Sequence, residues 1–271
     1  WKGVPPMLKL NKLHKIFDYG KINENYVLKN INLHVPKGDF VTIIGSNGAG
    51  KSTLLNLVAG TFFPEMGTVE IDGQDVTGWP VHKRAPLVGR VFQDPLLGTA
   101  TEMTIEENLS LAIKRGQPRR LRLGLNKKNR AEFRHLLALL DLGLEDRLDC
   151  PVKLLSGGQR QALTLLMATM GNPEILLLDE YTAALDPKTA LQIIEITQRI
   201  VTEEDLTVLM VTHDLKQALA MGNRTIMMDQ GEIILDLKGK ERAHITVADL
   251  LAKFAERSGR ELSDDRILLH G

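Results

Sequence analysis

The feature that most constrains the fold is a glycine-rich turn between an apolar run and a helix-like segment, in the stretch FVTIIGSNGAGKSTLLNLVAG at residues 40–60. The opening run is typical of a strand that is covered on both faces of a sheet. The turn matches the pattern G-x-x-x-x-G-K-[ST] from Gly45 to Ser52. Because glycine has no Cβ, such a turn can fold tightly around phosphates and direct several N–H groups inward. The stretch therefore predicts a strand, a phosphate-binding loop and a helix, in that order.

Each polar group of this loop has an expected role in binding a nucleoside triphosphate. The helix that begins near Lys51 presents its positive N-terminal end to the phosphates, and Lys51 adds a point charge at the β- and γ-phosphates. Ser52 presents a hydroxyl to Mg²⁺, with Thr53 as the alternative. The residues that we expect to contact the nucleotide in this loop are Ser46, Asn47, Gly48, Ala49, Gly50, Lys51, Ser52 and Thr53.

A phosphate-bound Mg²⁺ needs a carboxylate at the tip of a neighbouring strand, and the run ILLLDE at residues 175–180 supplies one. Asp179 is the expected Mg²⁺ ligand, directly or through water. Glu180 comes one residue later, so it can leave the strand edge and point at an attacking water, which makes it a candidate general base. The alternative interpretation of Glu180 is a surface residue at the end of a strand.

The pattern of apolar residues changes along the chain. Residues 7–17 and 26–35 alternate apolar and polar residues, and Asp72-Gly73 separates two short runs, so the first part is predicted to be antiparallel strands with a tight hairpin. The later runs FVTIIG, ILLLDE and TVLMVTH are continuously apolar, as in a parallel sheet flanked by helices. Between the last two, Leu191, Ile194 and Val201 recur at helical spacing.

Residues from about 104 to 170 are predicted to be mostly helical. The segment RAEFRHLLALLDLG is amphipathic, and Gly143 is its expected stop. The basic segment 114–134 is either a solvated surface or a contact for lipid headgroups or an acidic partner loop. In LLSGGQRQALTLLMATM, the small residues from Ser156 onward open a long helix, which predicts a second anion site. The chain has only one lysine-bearing loop, so this second site should serve a nucleotide held elsewhere.

Composition excludes several functional classes. Lys plus Arg total 34, as do Asp plus Glu, so no global charge favours nucleic acid or an anionic membrane. The single cysteine, Cys150, is expected to be a partly buried free thiol in a reducing compartment. The first ten residues lack the apolar core of a secretion signal, and no stretch approaches the roughly 18 apolar residues of a membrane helix. We therefore expect a soluble chain whose membrane role, if it has one, comes through a partner.

Five motifs in order, GSNGAGKST, LLSGGQRQ, ILLLDE, ALDP and VTHD, resemble those of ATP-binding-cassette (ABC) ATPases over roughly residues 8–237. The resemblance implies an α/β P-loop NTPase core with a mixed or parallel sheet, an N-terminal antiparallel β part, and a helical subdomain that carries the signature motif. The ABC ATPase domain is expected at 7–240, with its core at about 7–98 and 171–240 and the helical subdomain at about 99–170. Residues 241–271 are expected to form a C-terminal helical tail.

The resemblance also implies a role for each residue that matches a family motif. Gln93, in VFQDP, matches the glutamine that senses Mg²⁺ and links to the permease, and His213 matches the histidine that contacts the γ-phosphate and orients the water. Asp186 matches the aspartate that crosses the dimer interface. Phe17 matches the aromatic residue that stacks on adenine, with Tyr19 as the alternative. The residues that would meet the γ-phosphate of the second subunit's ATP are Ser156, Gly157, Gly158 and Gln159.

Two positions depart from the family pattern. Tyr181 stands where a proline usually follows the catalytic glutamate, and Ala183 stands where a serine is common. Tyr181 is expected to pack differently at the dimer interface, and loss of the serine hydroxyl to alter communication between sites. Neither change removes a catalytic group, since Glu180 and His213 are both present, so the site is predicted to be catalytically competent.

Three classes compete for the function: a transporter ATPase subunit, a soluble ABC ATPase that acts on DNA or ribosomes, and a nucleotide-binding regulator without turnover. One cassette, one cysteine and no heptad run favour the first class. Two copies are expected to sandwich two ATP with Mg²⁺, head to tail, on permease subunits at the cytoplasmic face of the membrane, with a solute-binding protein and no nucleic acid. Residues 91–112 and LLMATM resemble cassettes that accompany permeases of the branched-chain-amino-acid type, which implies uptake of a small solute such as an amino acid. Export or lipid extraction is the alternative.

Overall fold

The computed structural model describes residues 6–117 and 127–258. The chain divides into two compact units, residues 1–84 with 206–271 and residues 85–205. The first unit contains β1 Leu8–Phe17, β2 Asn25–Val35, β3 Phe40–Gly45, α1 Lys51–Ala59, β4 Met66–Ile71, β5 Gln74–Asp75, α2 Val81–Arg84, β8 Thr207–Val211, α7 Leu215–Ala220, β9 Arg224–Asp229, β10 Glu232–Lys238, α8 Gly239–Ala243 and α9 Val247–Ser258. The second unit contains β6 Val88–Val91, α3 Ile105–Ala112, α4 Lys127–Ala138, α5 Gly157–Thr169, β7 Ile175–Asp179 and α6 Pro187–Glu203.

The first unit holds two sheets whose burial follows their sequence patterns. An antiparallel sheet runs in the order β2-β1-β4-β5, and its strands alternate buried and exposed side chains. In the second sheet β3 lies between β8 and β9 and is parallel to both, while β10 pairs antiparallel with β9. All residues of β3, β8 and β9 are buried. Continuous apolar runs therefore became central strands, because both of their faces are covered.

The C-terminal helix α9 belongs to the core of the first unit. Its apolar stripe places Leu250 and Phe254 in a buried cluster with Ile44 of β3, Met227 of β9 and Leu237 of β10. Both α9 side chains are almost fully buried. The strand that leads into the glycine-rich turn is thus supported from beneath by the chain's last described helix.

The second unit pairs β6 and β7 in parallel and surrounds them with helices. Three of these helices begin at well-formed caps, as the sequence favours. Thr104 and Glu107 form a capping box at α3, Ser156 and Gln159 form one at α5, and Asp186 caps α6. Pro187 occupies the first turn of α6, where a missing N–H costs no hydrogen bond. These caps fix where each helix starts, and two of them lie in the predicted site motifs.

Arginines close the C-terminal ends of three helices; Arg84 is fully buried, and Arg115 and Arg242 are partly buried. Arg84 donates to Leu57 O and Val58 O in the last turn of α1. Arg115 donates to Ala168 O and Met170 O at the end of α5, and Arg242 donates to three carbonyls at the end of α7. Burial lowers the pKa of all three guanidinium groups. A cation in this position satisfies the last carbonyls and complements the helix dipole.

The predicted fold class is confirmed: the chain is α/β, with a mixed sheet, an N-terminal antiparallel part, and helices that carry the signature segment. The Asp72-Gly73 hairpin is also confirmed, because Ile71 pairs with Gln74 across it. Within residues 6–117 and 127–258, no helix is long and apolar enough to cross a membrane. The basic segment lies partly outside the described residues, at 118–126. The domain boundaries drawn from the sequence stay a prediction.

Two local expectations were wrong. Helix α6 forms as predicted, but Leu191 is 63% exposed, whereas Ile193 and Ile196 face the core. Helix α4 ends at Ala138 instead of continuing to Gly143. The chain closes there in a turn in which Asp141 N donates to Ala138 O, and Asp141 itself takes a left-handed backbone conformation. A left-handed residue ends a helix whether or not it is glycine, and asparagine and aspartate tolerate that conformation best among the others.

Candidate functional site

The glycine-rich loop is shaped by close backbone approaches on both sides. Gly45 ends β3 with φ +146°, and a Cβ there would lie 2.0 Å from Met228 O of β9. Gly50 has φ +98°, and a Cβ there would lie 2.6 Å from Leu28 Cδ2. Helix α1 then starts at Lys51 with no side-chain cap. The first N–H groups of α1 are therefore presented by a turn that only glycine permits.

Lys51 is held inside this loop. Its side chain is buried, and Nζ donates to Gly45 O at 2.7 Å and to Ser46 O at 2.9 Å. The Ser46 hydroxyl donates to the Asp229 carboxylate at 2.9 Å, which fastens the loop to the end of β9. Ser52 is exposed on the first turn of α1. The loop thus encloses an ammonium group beneath a row of backbone donors, the arrangement that a polyphosphate requires.

Phe17 lies at the end of β1, and neighbouring side chains pack against its ring. Its ring packs edge-on against Phe62, with centroids 5.2 Å apart, and Lys15 Nζ lies 5.0 Å from its centroid. Lys15 is buried and pairs with Glu65 at 2.6 Å. Tyr19, the alternative stacking residue, is 71% exposed. Phe17 is the better positioned aromatic of the two, because its ring is oriented by neighbours.

His213 occupies a short turn between β8 and α7. Thr212 N donates to Ile43 O, and the Thr212 hydroxyl donates to Gln217 Oε1 at 2.6 Å. Asp214 caps α7 by accepting from Gln217 N at 3.0 Å. The residues on either side of His213 are therefore fixed by hydrogen bonds, and the imidazole projects from a defined backbone. The turn belongs to the first unit, as does the glycine-rich loop.

In the second unit, Asp179 ends β7 and forms an ion pair with Arg90 of β6. Arg90 Nη2 lies 3.1 Å from Asp179 Oδ2, and each side chain is 14% exposed. The guanidinium also lies 4.5 Å from the centroid of the Phe92 ring. A carboxylate at a strand end is the kind of oxygen donor that Mg²⁺ prefers, and Arg90 competes with a cation for it. Arg90 was not predicted as a site residue, although a charged residue within the apolar run VGRVF indicates a buried ion-pair partner.

Glu180 begins a tight turn after β7 with φ +46°, in the left-handed region. Ala183 N donates to Glu180 O at 3.0 Å, and Leu185 N donates to Thr182 O at 3.1 Å. Tyr181 is 2% exposed, and its hydroxyl donates to Thr197 of α6. The expectation that Tyr181 packs at a dimer interface is therefore wrong, because the ring is buried within its own chain.

The signature segment forms the first turn of α5. The Ser156 hydroxyl accepts from Gln159 N at 3.2 Å, and Gln159 Oε1 accepts from Ser156 N at 3.2 Å. Gln159 Nε2 also donates to Leu142 O. A Cβ at Gly158 would lie 2.2 Å from Thr189 Cγ2, so α5 packs closely on the start of α6 there. Ser156 and Gly157 are exposed, which leaves the helix end accessible.

Asp186 and Gln93 occupy the remaining predicted positions. Asp186 is exposed and caps α6, and the hydrogen bonds from Thr189 lower the pKa of its carboxyl. Gln93 follows β6 and is exposed, next to a short 3₁₀ turn that Asp94 caps. The structure therefore groups Lys51, Phe17 and His213 in one unit and Gln93, Ser156, Asp179, Glu180 and Asp186 in the other. Their roles stay predictions.

The residues present fit both expected ligands. The buried Lys51 ammonium and the backbone donors at the start of α1 fit a nucleoside triphosphate. Mg²⁺ prefers oxygen ligands and is commonly held by one or two protein groups plus phosphates. Asp179 in the second unit and Ser52 in the first unit each carry an oxygen of this kind. Among residues 6–117 and 127–258, no group of three or more His, Cys, Asp or Glu is placed to hold a metal ion by itself.

Comparison with known proteins points to one family. The family described as ABC transporter matches residues 28–183. A tyrosine transport ATP-binding protein from Clostridioides difficile (strain R20291) is 46% identical over 248 residues, which cover 92% of this chain and 98% of the relative. The aliphatic sulfonates import ATP-binding protein SsuB 2 from Agrobacterium fabrum (strain C58 / ATCC 33970) is 38% identical and covers 78% of this chain and 73% of its own length. The methionine import ATP-binding protein MetN 2 from Enterococcus faecalis (strain ATCC 700802 / V583) is also 38% identical, over 84% of this chain and 64% of its own length.

Solved structures of ATP-binding cassettes are similar to this chain as well. The ATP-binding cassette MJ0796, in a dimeric post-hydrolysis state bound to ADP and Pi, superposes with a TM-score of 0.73 at 32% identity, over 86% of this chain and 98% of that one. The ADP conformation of MJ1267, an ATP-binding cassette of an ABC transporter, gives a TM-score of 0.75 at 25% identity, over 94% and 99% of the two chains.

Proposed function

This chain belongs to the ABC transporter family and is an ATPase cassette of it, and from that premise we propose that it powers uptake of a small organic solute such as an amino acid. The observation that carries the proposal is the near full-length match to a tyrosine transport ATP-binding protein. Relatives named for methionine and sulfonate import support the direction of transport. The solute meets other subunits of such a machine, so the cassette supplies the driving force.

The residues divide the chemistry of hydrolysis between them. Lys51 and the N–H groups of α1 bind the β- and γ-phosphates, and Phe17 stacks on the base. Mg²⁺, when bound, neutralises charge that develops on the phosphates during transfer. Asp179 and Ser52 would hold that ion, with Gln93 as a further ligand. The Glu180 carboxylate accepts a proton from the attacking water, which His213 orients.

The second anion site supports a head-to-tail dimer. Ser156 and the exposed first turn of α5 present backbone donors but no lysine, so they suit a γ-phosphate that another subunit holds. Asp186, which caps α6 in the same unit, is exposed and can cross such an interface. The relative solved in a dimeric state supports this assembly. Membrane permease subunits, at the inner face of the membrane, and a solute-binding protein would complete the system.

Replacement of Glu180 by glutamine tests the shared site. Glu180→Gln keeps the shape of the side chain but removes the base, so ATP should stay bound and hold two copies together. Light scattering coupled to size exclusion should show an ATP-dependent dimer for Glu180→Gln and a monomer for Glu180→Gln with Ser156→Arg. A Glu180→Gln chain that stays monomeric in saturating ATP and hydrolyses at the parental rate would refute the mechanism.

Transport itself is tested in the assembled complex. The tagged chain is purified from native membranes in mild detergent, together with its integral membrane partners, and reconstituted into vesicles with ATP on the cassette side. We expect ATP-dependent uptake of labelled amino acid, lost in Glu180→Gln and retained in the matched surface control Glu204→Gln. Solute movement in the opposite direction, or recovery of the chain without any integral membrane protein, would overturn the proposal.

A further inference from the structure

The turn that carries Glu180 depends on an unusual backbone conformation. Glu180 has φ +46°, a region that non-glycine residues seldom occupy because Cβ crowds the backbone. Such a conformation persists only where the surrounding structure holds it in place. Within the turn, Ala183 N donates to Glu180 O and Leu185 N donates to Thr182 O. A contact that fixes the next residue along the chain would also help to hold this conformation.

Tyr181 provides that fixed point. Its side chain is 2% exposed and reaches α6, where its hydroxyl donates to Thr197 Oγ1 at 3.1 Å. Thr197 is fully buried, and its own hydroxyl hydrogen is used in a 2.7 Å bond to Ile193 O. Because that hydrogen is committed, Thr197 Oγ1 must accept from Tyr181. The pair forms a closed chain of donors and acceptors that ends on the backbone of α6.

Burial keeps the Tyr181 phenol in its neutral form. Desolvation raises the pKa of the phenol well above its ordinary value, and the hydrogen bond with Thr197 opposes this rise only partly. The hydroxyl is therefore a donor at every pH at which the protein works. A buried donor that lost its acceptor would be costly, so rotation of the Tyr181 side chain, and with it a change of the Glu180 turn, is disfavoured.

We propose that Tyr181 and Thr197 are positioning residues for hydrolysis: their hydrogen bond anchors the turn after β7 and so aims the Glu180 carboxylate. Glu180 is the residue directly before the anchor, and a carboxylate that acts as a base needs a defined direction toward its water. This inference rests on the proposed role of Glu180 as the base. The Tyr181–Thr197 contact is made by the residue after Glu180, not by Glu180 itself.

Two conservative substitutions test the anchor. Tyr181→Phe keeps the ring but removes the donor, and Thr197→Val keeps the shape but removes the acceptor. In purified full-length chain, each should lower kcat for ATP hydrolysis by about 5- to 50-fold, with KM and the ATP dissociation constant changed by less than about twofold. Rates are referred to the number of ATP-binding sites found by calorimetry, so a partly unfolded sample cannot imitate the effect.

The control variant is Thr202→Val on the same helix. Thr202 Oγ1 donates to Gln198 O at 2.8 Å, the same bond along α6 that Thr197 makes, but Thr202 is exposed and has no tyrosine partner. It should keep the parental kcat. Because Tyr181→Phe and Thr197→Val remove the same hydrogen bond, the double variant should be no slower than either single one. Additive losses, or parental kcat in both single variants, would overturn the proposal.

A second double-mutant cycle, which combines Glu180→Gln with Tyr181→Phe, separates the role of the anchor from the role of Glu180. In the Glu180→Gln background the base is already absent, so Tyr181→Phe should not lower the residual rate further. A further loss of the same factor would show that Tyr181 acts elsewhere and would overturn the anchor. If Glu180→Gln alone leaves the rate at the parental value, the base assignment fails instead. If Glu180→Gln is inactive while Tyr181→Phe and Thr197→Val are fully active, only the anchor fails.

Discussion

Arg84 is the buried cation that closes α1, the helix at the glycine-rich loop, and its removal should destabilise the first unit strongly. Nη1 donates to Leu57 O at 2.6 Å and to Val58 O at 2.9 Å, and the rest of the guanidinium donates to Trp79 O and Thr77 O. The side chain is fully buried. Arg84→Met keeps much of the apolar volume but removes every donor.

The expected cost follows from these contacts. Arg84 donates to four backbone carbonyls, and a buried acceptor left without its donor costs about 1–3 kcal/mol. The gain from burying methionine in place of a guanidinium offsets part of the loss. We therefore expect Arg84→Met to lower the free energy of unfolding by about 3 kcal/mol, at the upper end of the range for single substitutions. Arg84→Lys should recover less than half, since one ammonium cannot reproduce a planar fork of donors.

Urea unfolding followed by tryptophan fluorescence measures this cost. The chain has two tryptophans, so a Trp1→Phe background leaves Trp79, whose carbonyl accepts from Arg84, as the reporter of the first unit. Lys83→Met, on the same short helix but exposed, is the matched control. A loss for Arg84→Met within about 0.5 kcal/mol, as for a surface substitution, would refute the reasoning.

The pH dependence of this cost has a definite sign. Burial lowers the pKa of Arg84 to about 10 from 12.5, with the Asp75 carboxylate opposing the shift. Between those two values the unfolded chain binds more protons, so the penalty of burying the charge weakens only as the pH rises above about 10. The difference in unfolding free energy between Arg84→Met and the parent should therefore be the same at pH 6 and pH 8.

Three further substitutions test the binding site. Lys51→Ala should weaken ATP binding by at least about two orders of magnitude in a calorimetric titration, and near-parental affinity would show that the loop is misassigned. Arg90→Met removes the cation beside Asp179, so the Mg²⁺ concentration that half-saturates ATP binding should fall about threefold or more; a rise would mean that Arg90 orients the carboxylate instead. Lys15→Met removes the cation from the Phe17 ring, and ATP should bind about fivefold more weakly while inorganic triphosphate binds as before. Equal losses for both ligands would contradict a role at the base.

Continuous apolar runs were reliable predictors of the central strands. FVTIIG, ILLLD and TVLMV became β3, β7 and β8, because a strand covered on both faces leaves little choice of side-chain polarity. The hairpin at Asp72-Gly73 was equally predictable, since its turn needs a local backbone conformation that few residues supply. Features that local sterics and burial determine can be read from local sequence.

Features that tertiary packing determines could not be predicted from local sequence. The apolar spacing of α6 is compatible with more than one stripe, and only packing against the rest of the unit selects Ile193 and Ile196 over Leu191. The end of α4 was misplaced because Asp141 takes a left-handed conformation two residues before Gly143, the expected stop. In both cases the sequence allowed two answers and the fold chose one.

In the candidate site, too, local sequence predicts some features and tertiary packing determines the others. The motifs identify the groups that would touch the nucleotide, but the residues that hold those groups come from distant parts of the chain. Arg90 and Asp179 are separated by 89 positions, and Lys15 and Glu65 by 50. No spacing rule links such pairs. Tyr181 and Thr197 are only 16 apart, yet their contact depends on how α6 lies beneath the turn.

The arrangement of the two units has a consequence for synthesis on the ribosome. Strand β3, with every residue buried, pairs only with β8 and β9, which are translated more than 160 positions later. The second unit is one continuous stretch, residues 85–205, so it can fold while the first unit still lacks β8, β9 and β10, three of the four strands of its second sheet. During that interval FVTIIG is an apolar strand with two unpaired edges, the kind of segment that aggregates or recruits a chaperone. A slower stretch of translation after residue 205 would prolong the risk, and faster delivery of α9 would end it.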